Sequence, residues 1–189
     1  MVLKLGQDKK EKKSMFDNLQ FTQYIPLTRL DIKKGTSITQ KDIKKGNIKV
    51  VASGKDFAYL HDISNREAGT ITISASGEAG YINYWEEPIF ASDCITINTD
   101  DIIETKFIYY YLKCKKQDSL MAKATGQSQS HVYIEDVSDI VADIPHIANK
   151  QQIVDIIDNL SDRISTMQDE IDVIKQKKMT LLNEYFINR

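Results

Sequence analysis

The last quarter of the chain constrains everything else. From Ile153 onward the sequence places seam positions at 153, 157, 160, 164, 167, 171, 174, 178, 181 and 185, in alternating steps of four and three. This is a heptad rhythm, with Ile157, Ile164 and Ile171 at a and Leu160, Met167 and Ile174 at d. Lys178 is the one charged residue in the series, and no proline or glycine falls between 148 and 187. The pattern predicts a helical segment over 148–189, roughly 60 Å long at 1.5 Å per residue. Its apolar stripe is a narrow coiled-coil seam, unlike the broad face of a helix lying on its own domain. Ile153, Ile157, Leu160, Ile164, Met167, Ile171, Ile174, Lys178, Leu181 and Tyr185 therefore need a partner helix, from a second copy or from another protein.

The other residues suit one globular domain over 19–147 behind a charged leader at 1–18. The leader is lysine-rich without an apolar stretch after it, so it is not a secretory signal. No apolar run approaches the roughly 18 residues of a membrane span. Cys94 and Cys114 make no disulfide framework, and a cytoplasmic location is expected. Strands are predicted at 48–53, 70–74, 81–85, 94–98 and 140–144, the best of them alternating with period two, as in Thr70-Ile71-Thr72-Ile73-Ser74. The period then lengthens. Phe107, Tyr110, Tyr111 and Cys114 fall at helical spacing and predict a helix over roughly 105–116, its aromatic face against the sheet, with a second over 118–124. The fold class is α+β: a mixed globular domain followed by one long helix.

No chemistry of catalysis can be drawn. There is no glycine-rich dinucleotide loop, no phosphate-binding P-loop and no nucleophile elbow. His61, His131 and His146 stand too far apart for metal-ligand spacing and read as surface or loop residues. Charge is more informative. The net is only -2, yet residues 1–50 hold 12 basic against 5 acidic residues, while 51–147 hold 7 against 15. Lys33 and Lys34 precede Gly35, and Lys44 and Lys45 precede Gly46, which suggests basic loops able to approach phosphates.

The order of several short stretches resembles one family, the DNA specificity subunits of Type I restriction-modification systems. Asp31-Ile32-Lys33-Lys34-Gly35, followed by Ile43 to Val51 and Ser53-Gly54, is similar to the family's opening strand region. Ile73 to Gly80 resembles its glycine-bearing turn, and Phe90-Ala91-Ser92-Asp93 its aromatic-Ala-Ser/Thr-Asp step. Lys106 to Lys113 looks like a family signature. Gly126 to His131 falls where members carry a polar loop, and Asp143-Ile144-Pro145 with Gln151-Gln152-Ile153-Val154 is similar to the domain end and the start of its long helix. Members commonly hold two recognition domains and two long helices, whereas this chain has one of each.

The resemblance implies a non-catalytic recognition subunit. Each recognition domain would read half of a bipartite site in double-stranded DNA, and the long helix would dock methyltransferase subunits, with a motor-nuclease subunit in some complexes. S-adenosylmethionine would belong to the methyltransferase, leaving this chain without a cofactor or metal. Phosphate contacts are expected from Lys33, Lys34, Lys44, Lys45 and Lys55, and base readout from Ser76, Gly77, Gln127, Gln129, Ser130 and His131, since glutamine can pair bidentately with adenine. An antiparallel homodimer is expected, because a parallel pair would set Lys178 against Lys178. Within that family a truncated cassette that competes for methyltransferase subunits is an alternative, and the residues alone also admit a coiled-coil assembly protein without DNA binding and a stand-alone enzyme.

Overall fold

A computed structural model of the protein describes residues 23–125, 131–141, 144–146 and 148–187. Seven strands form two sheets. β1 (Asp31–Lys34), β4 (Thr70–Ser74), β5 (Ile82–Trp85) and β7 (Cys94–Asn98) make an antiparallel sheet in the order β1-β7-β4-β5. β2 (Ile48–Val51), β3 (Tyr59–His61) and β6 (Ile89–Ala91) make the other, ordered β3-β2-β6, with β2 and β6 parallel.

Period-two alternation dictates the two faces of the larger sheet. Ile71 pairs with Ile97 and Ile73 with Ile95, and this isoleucine layer packs on the helices through Phe107, Ile108 and Leu112. Thr72 and Thr96 occupy the opposite face, buried, with their hydroxyls engaged by the Trp85 indole N–H at 2.9 Å and the Arg66 Nε–H at 2.9 Å. There Trp85 and Cys94 meet Val51, Ile89 and Ala91 of the smaller sheet in a second, minor core. Burial pushes the Cys94 thiol up to about 12.

α1 (Ile102–Lys115) starts where the Asp101 carboxylate accepts from the Ile103 and Glu104 amides at 2.8 and 3.3 Å, a side-chain N-cap. Its buried face runs through Glu104, Thr105, Phe107, Ile108, Tyr111 and Leu112. The predicted face was rotated from this: Phe107 and Tyr111 are in the core, but Cys114 is exposed and Tyr110 turns to the side. α2 (Gln117–Thr125) follows. The strand predicted at 140–144 is replaced by α3 (Ile134–Val141). Its β-branched residues suit a strand locally, yet Val137, Ile140 and Val141 fall three and four apart and all three are buried, so packing favours the helix. Among the described residues of that stretch, Ile144 and the following Pro145 keep an extended role. The Ile25 amide donates to the Ile144 carbonyl at 2.8 Å, and Tyr24 bridges to Pro145, closing the start of the domain onto its end.

α4 (Lys150–Leu182) is one uninterrupted helix that runs into a π-helical turn, Asn183–Ile187. Only its root packs on the domain. Val154 is fully buried and Ile153 is partly buried against the main core. Ile153 is thus shared between the seam and its own domain, contrary to the reading of it as a seam residue alone. From Leu160 the seam is bare: Ile164 is 68% exposed and Ile174 is 65% exposed. Among the described residues no helix is long and apolar enough to cross a membrane.

Candidate nucleic-acid interface

Strand direction gathers several candidate residues at one end of the domain. β1 ends at Lys34, opposite Ile95; β4 ends at Ser74, opposite Cys94; β2 ends just before Ser53. The loops that follow lock together. The Glu78 amide donates to the Ser53 carbonyl at 2.9 Å, the Ser74 hydroxyl to the Gly54 carbonyl at 3.1 Å, and the Asn83 side-chain amide to the Lys55 carbonyl at 2.6 Å. The Ser76 hydroxyl is bonded to the Asp93 carboxylate. Gly77 rests over Ser53, so that a Cβ there would lie 2.9 Å from the Ser53 carbonyl oxygen. Lys55 sits 3.5 Å from the Glu78 carboxylate.

His131 joins the same end. The Val132 amide donates to the Ala75 carbonyl at 2.9 Å, and the His131 ring lies tilted against that of Tyr133 with centroids 4.7 Å apart. Lys34 and His131 line one cavity of roughly 200 Å³ with Ala75 and Ile95 at its floor. Lys33 on the neighbouring position of β1 is held by Asp31 at 2.6 Å. Lys33, Lys34, Lys55, Ser76, Gly77 and His131 therefore share one rim. Gln127, Gln129 and Ser130 lie outside the described residues, between α2 and His131.

Lys44 and Lys45 are not on that rim. They sit before the start of β2, whereas Lys55 follows its end, about 13 Å of strand away. The Lys44 amide donates to Nδ1 of His61 at 3.1 Å. His61 is buried, not a surface residue, with its ring edge-on to Phe90 at 5.3 Å. Nor do the adjoining glycines serve phosphate approach. A Cβ on Gly35 would lie 2.0 Å from the Ser92 carbonyl oxygen, and one on Gly46 would lie 2.2 Å from that of His61. Both glycines are required by the protein's own backbone. The lysine side chains beside them remain available: among the described residues Lys34, Lys44 and Lys45 are in no ion pair.

Two charged clusters that no local pattern announces fix the root of α4. Glu104, buried on α1, is paired with Lys150 and lies 3.8 Å from Arg29. Lys106 reaches Glu86 at 2.7 Å and Asp158 at 2.9 Å, and the Tyr110 hydroxyl also bonds to Asp158. Burial opposes the charged form of Lys106, but its two carboxylate partners outweigh it and raise the pKa above the ordinary lysine value. Burial, then the Asp158 hydrogen bond, raises that of Tyr110. Arg66 is a further structural residue, its guanidinium spent on Thr96, the Asn65 carbonyl and the Lys34 carbonyl. Among the described residues no group of His, Cys, Asp and Glu could hold a metal.

The fold is thus a two-sheet domain with a polar, lysine-bearing rim, followed by a long helix with a bare heptad seam. Residues 30–176 match the Type I restriction modification DNA specificity domain, and the chain belongs to that family. Such chains recognise and do not catalyse. Three solved structures share the fold. The S subunit of a Type I restriction-modification system from M. genitalium has a TM-score of 0.67 and 23% identity, over 86% of this chain and 45% of that one. A chain from a structure of type I R-M complex assembly and conformational transition has a TM-score of 0.56 and 12% identity, over 82% and 41%. The HsdS subunit from Thermoanaerobacter tengcongensis has a TM-score of 0.51 and 16% identity, over 76% and 38%. The chain thus spans less than half the length of these relatives. No curated protein matches it.

Proposed function

We propose that this chain reads one half of a bipartite site in double-stranded DNA, pairs with a second copy through α4, and directs methyltransferase subunits to the site in the cytoplasm. S-adenosylmethionine is bound by those subunits, and a motor-nuclease subunit joins where cleavage is required. The observation that carries this reading is the specificity-domain match over residues 30–176. It is supported by the rim, where Lys34, Lys55, Ser76 and His131 converge. Lysines on phosphates fix register, while hydroxyl, amide and imidazole groups discriminate bases.

The bare seam favours an antiparallel pair. Its spacing reads the same in both directions about position 169. Ile153 then faces Tyr185, Ile157 faces Leu181, Leu160 faces Lys178, Ile164 faces Ile174, and Met167 faces Ile171. This register also keeps Lys178 away from its own copy, near Asp158 and Asp162. Long-read methylation sequencing of DNA from cells expressing the chain with a matching methyltransferase tests the function. A methylated palindrome with an unspecified middle is expected. The seam, bare from Leu160 onward, also admits a second reading, a cassette that occupies methyltransferase subunits unproductively. That reading expects no new methylated motif and a loss of the resident one.

A further inference from the structure

The cavity of roughly 200 Å³ on the rim has a floor and a mouth of opposite character. Ala75, Ile95 and Val132 make the floor, each 1% exposed. Their side chains offer neither donor nor acceptor. The mouth carries Lys34 from the end of β1, His131 from the approach to α3 and Glu135 from its first turn. Lys34 and Glu135 are both exposed.

The walls are held from behind. The Arg66 Nη2–H donates to the Lys34 carbonyl at 3.0 Å and the Thr96 hydroxyl to the Lys33 carbonyl at 3.2 Å, which fixes the end of β1. The bond from the Val132 amide to the Ala75 carbonyl ties the approach of α3 to the residue after β4. The Tyr133 amide donates to the Asp136 carboxylate at 3.1 Å and closes the first turn of α3. A cavity braced in this way needs little ordering when it is filled.

The lining selects the occupant. Of the groups that base pairs present in the major groove, the thymine 5-methyl is the apolar one, and it matches the floor. The imidazole of His131 can donate to the thymine O4 beside that methyl. A carboxylate on a face turned toward phosphates is repelled unless a base amino group answers it, and the adenine N6 of the same pair is such a group. A C·G pair lacks the methyl and places an amino donor where T·A has O4. The Lys34 ammonium is left for a flanking phosphate. We infer that this cavity reads one T·A pair of the half-site, with the methyl on the floor, His131 on O4 and Glu135 on the adenine amino group. The inference rests on the DNA reading proposed above. It adds the identity of one base pair and assigns Glu135 to specificity.

Uracil tests it, because uracil is thymine without the methyl group. The chain, assembled with its methyltransferase, is bound to duplexes carrying the methylated motif, with each thymine of one half-site replaced by uracil in turn. At one position the replacement is expected to raise Kd about fourfold, the worth of one buried methyl group at about 0.8 kcal/mol. Glu135→Ala is expected to relax the base preference at that same position and at no other. A role confined to the terminus of α3 would instead lower the melting temperature and leave every base preference as it was. If uracil is tolerated at every thymine, or if the uracil-sensitive position keeps its preference in Glu135→Ala, the pocket is overturned and the DNA reading stands. If no motif is methylated and no duplex is preferred over another, both are overturned.

Discussion

Glu104 is 2% exposed, and a carboxylate so deeply buried persists only because Lys150 and Arg29 answer it. Lys150 is the first residue of α4, so this ion pair fastens helix to domain. Glu104→Ala leaves a partly buried ammonium without its partner and is expected to cost about 3 kcal/mol, read as a lowered thermal midpoint. A second expectation separates the lysines by their surroundings. Lys34→Ala removes a rim ammonium that is in no ion pair and should weaken binding to every duplex alike, lowering the salt slope by about one. Lys55→Ala should lower it less, since Glu78 already offsets that charge. Equal effects in salt titrations would contradict the rim described above. At this scale the sequence was legible where a residue acts through its neighbours in the chain, as in the turn glycine Gly77. It was mute about Arg66 with Thr96, Glu104 with Lys150 and Lys106 with Asp158, because those partners lie 30, 46 and 52 positions apart. It also misassigned Gly35 and Gly46, whose lack of a side chain serves internal packing.

Among the elements, the four strands of period-two or β-branched character and the two helices after residue 100 were legible, because each periodicity reports which face meets the core. β3 and β6 are three residues each, too short to display a period. α3 was misread as a strand because its residue types favour one while its burial follows helical spacing. The rotated face of α1 has a related cause: Tyr110 is drawn toward Asp158 of α4, a contact that no analysis of α1 alone supplies. That contact predicts a pH dependence. Tyr110 and Lys106 both have folded pKa values raised above their ordinary 10.0 and 10.5. Each therefore contributes stability that is fully present below those values and is lost as pH rises through them toward the folded pKa. The seat of α4 is expected to hold from neutral pH to about pH 10 and to loosen above it. Tyr110→Phe removes one hydrogen bond to a charged acceptor, about 1.5–3 kcal/mol, and should reduce the alkaline loss in melts recorded at rising pH. An unchanged alkaline profile would show that the loss arises elsewhere.

For the whole molecule, the long helix was the most legible feature, and its exposed seam is the surface on which the proposed pairing rests. With the domain fixed at its root by Val154, Glu104 and Asp158 and the seam bare from Leu160 onward, α4 would act as a spacer in that pair. In the proposed antiparallel pair the two Ile153 positions stand 32 residues of rise apart, roughly 48 Å. That corresponds to about 14 base pairs at 3.4 Å each, so the two half-sites should lie one to two helical turns apart. The helix length then sets the spacer of the DNA target, and this can be altered without touching the domain. Deleting residues 168–174 removes one heptad and leaves Met167 at d directly followed by Lys175 at e, so the seam stays in phase. The domains should approach by about 10 Å, and the unspecified middle of the methylated motif should shorten by about three base pairs. Both half-site sequences should be unchanged, because the rim that reads them is far from the deletion. Methylation sequencing of cells carrying the deleted chain measures spacer and half-sites together. A shortened spacer with the same half-sites assigns distance to α4 and sequence to the rim, whereas an unchanged spacer would mean that the methyltransferase subunits, not this helix, hold the domains apart.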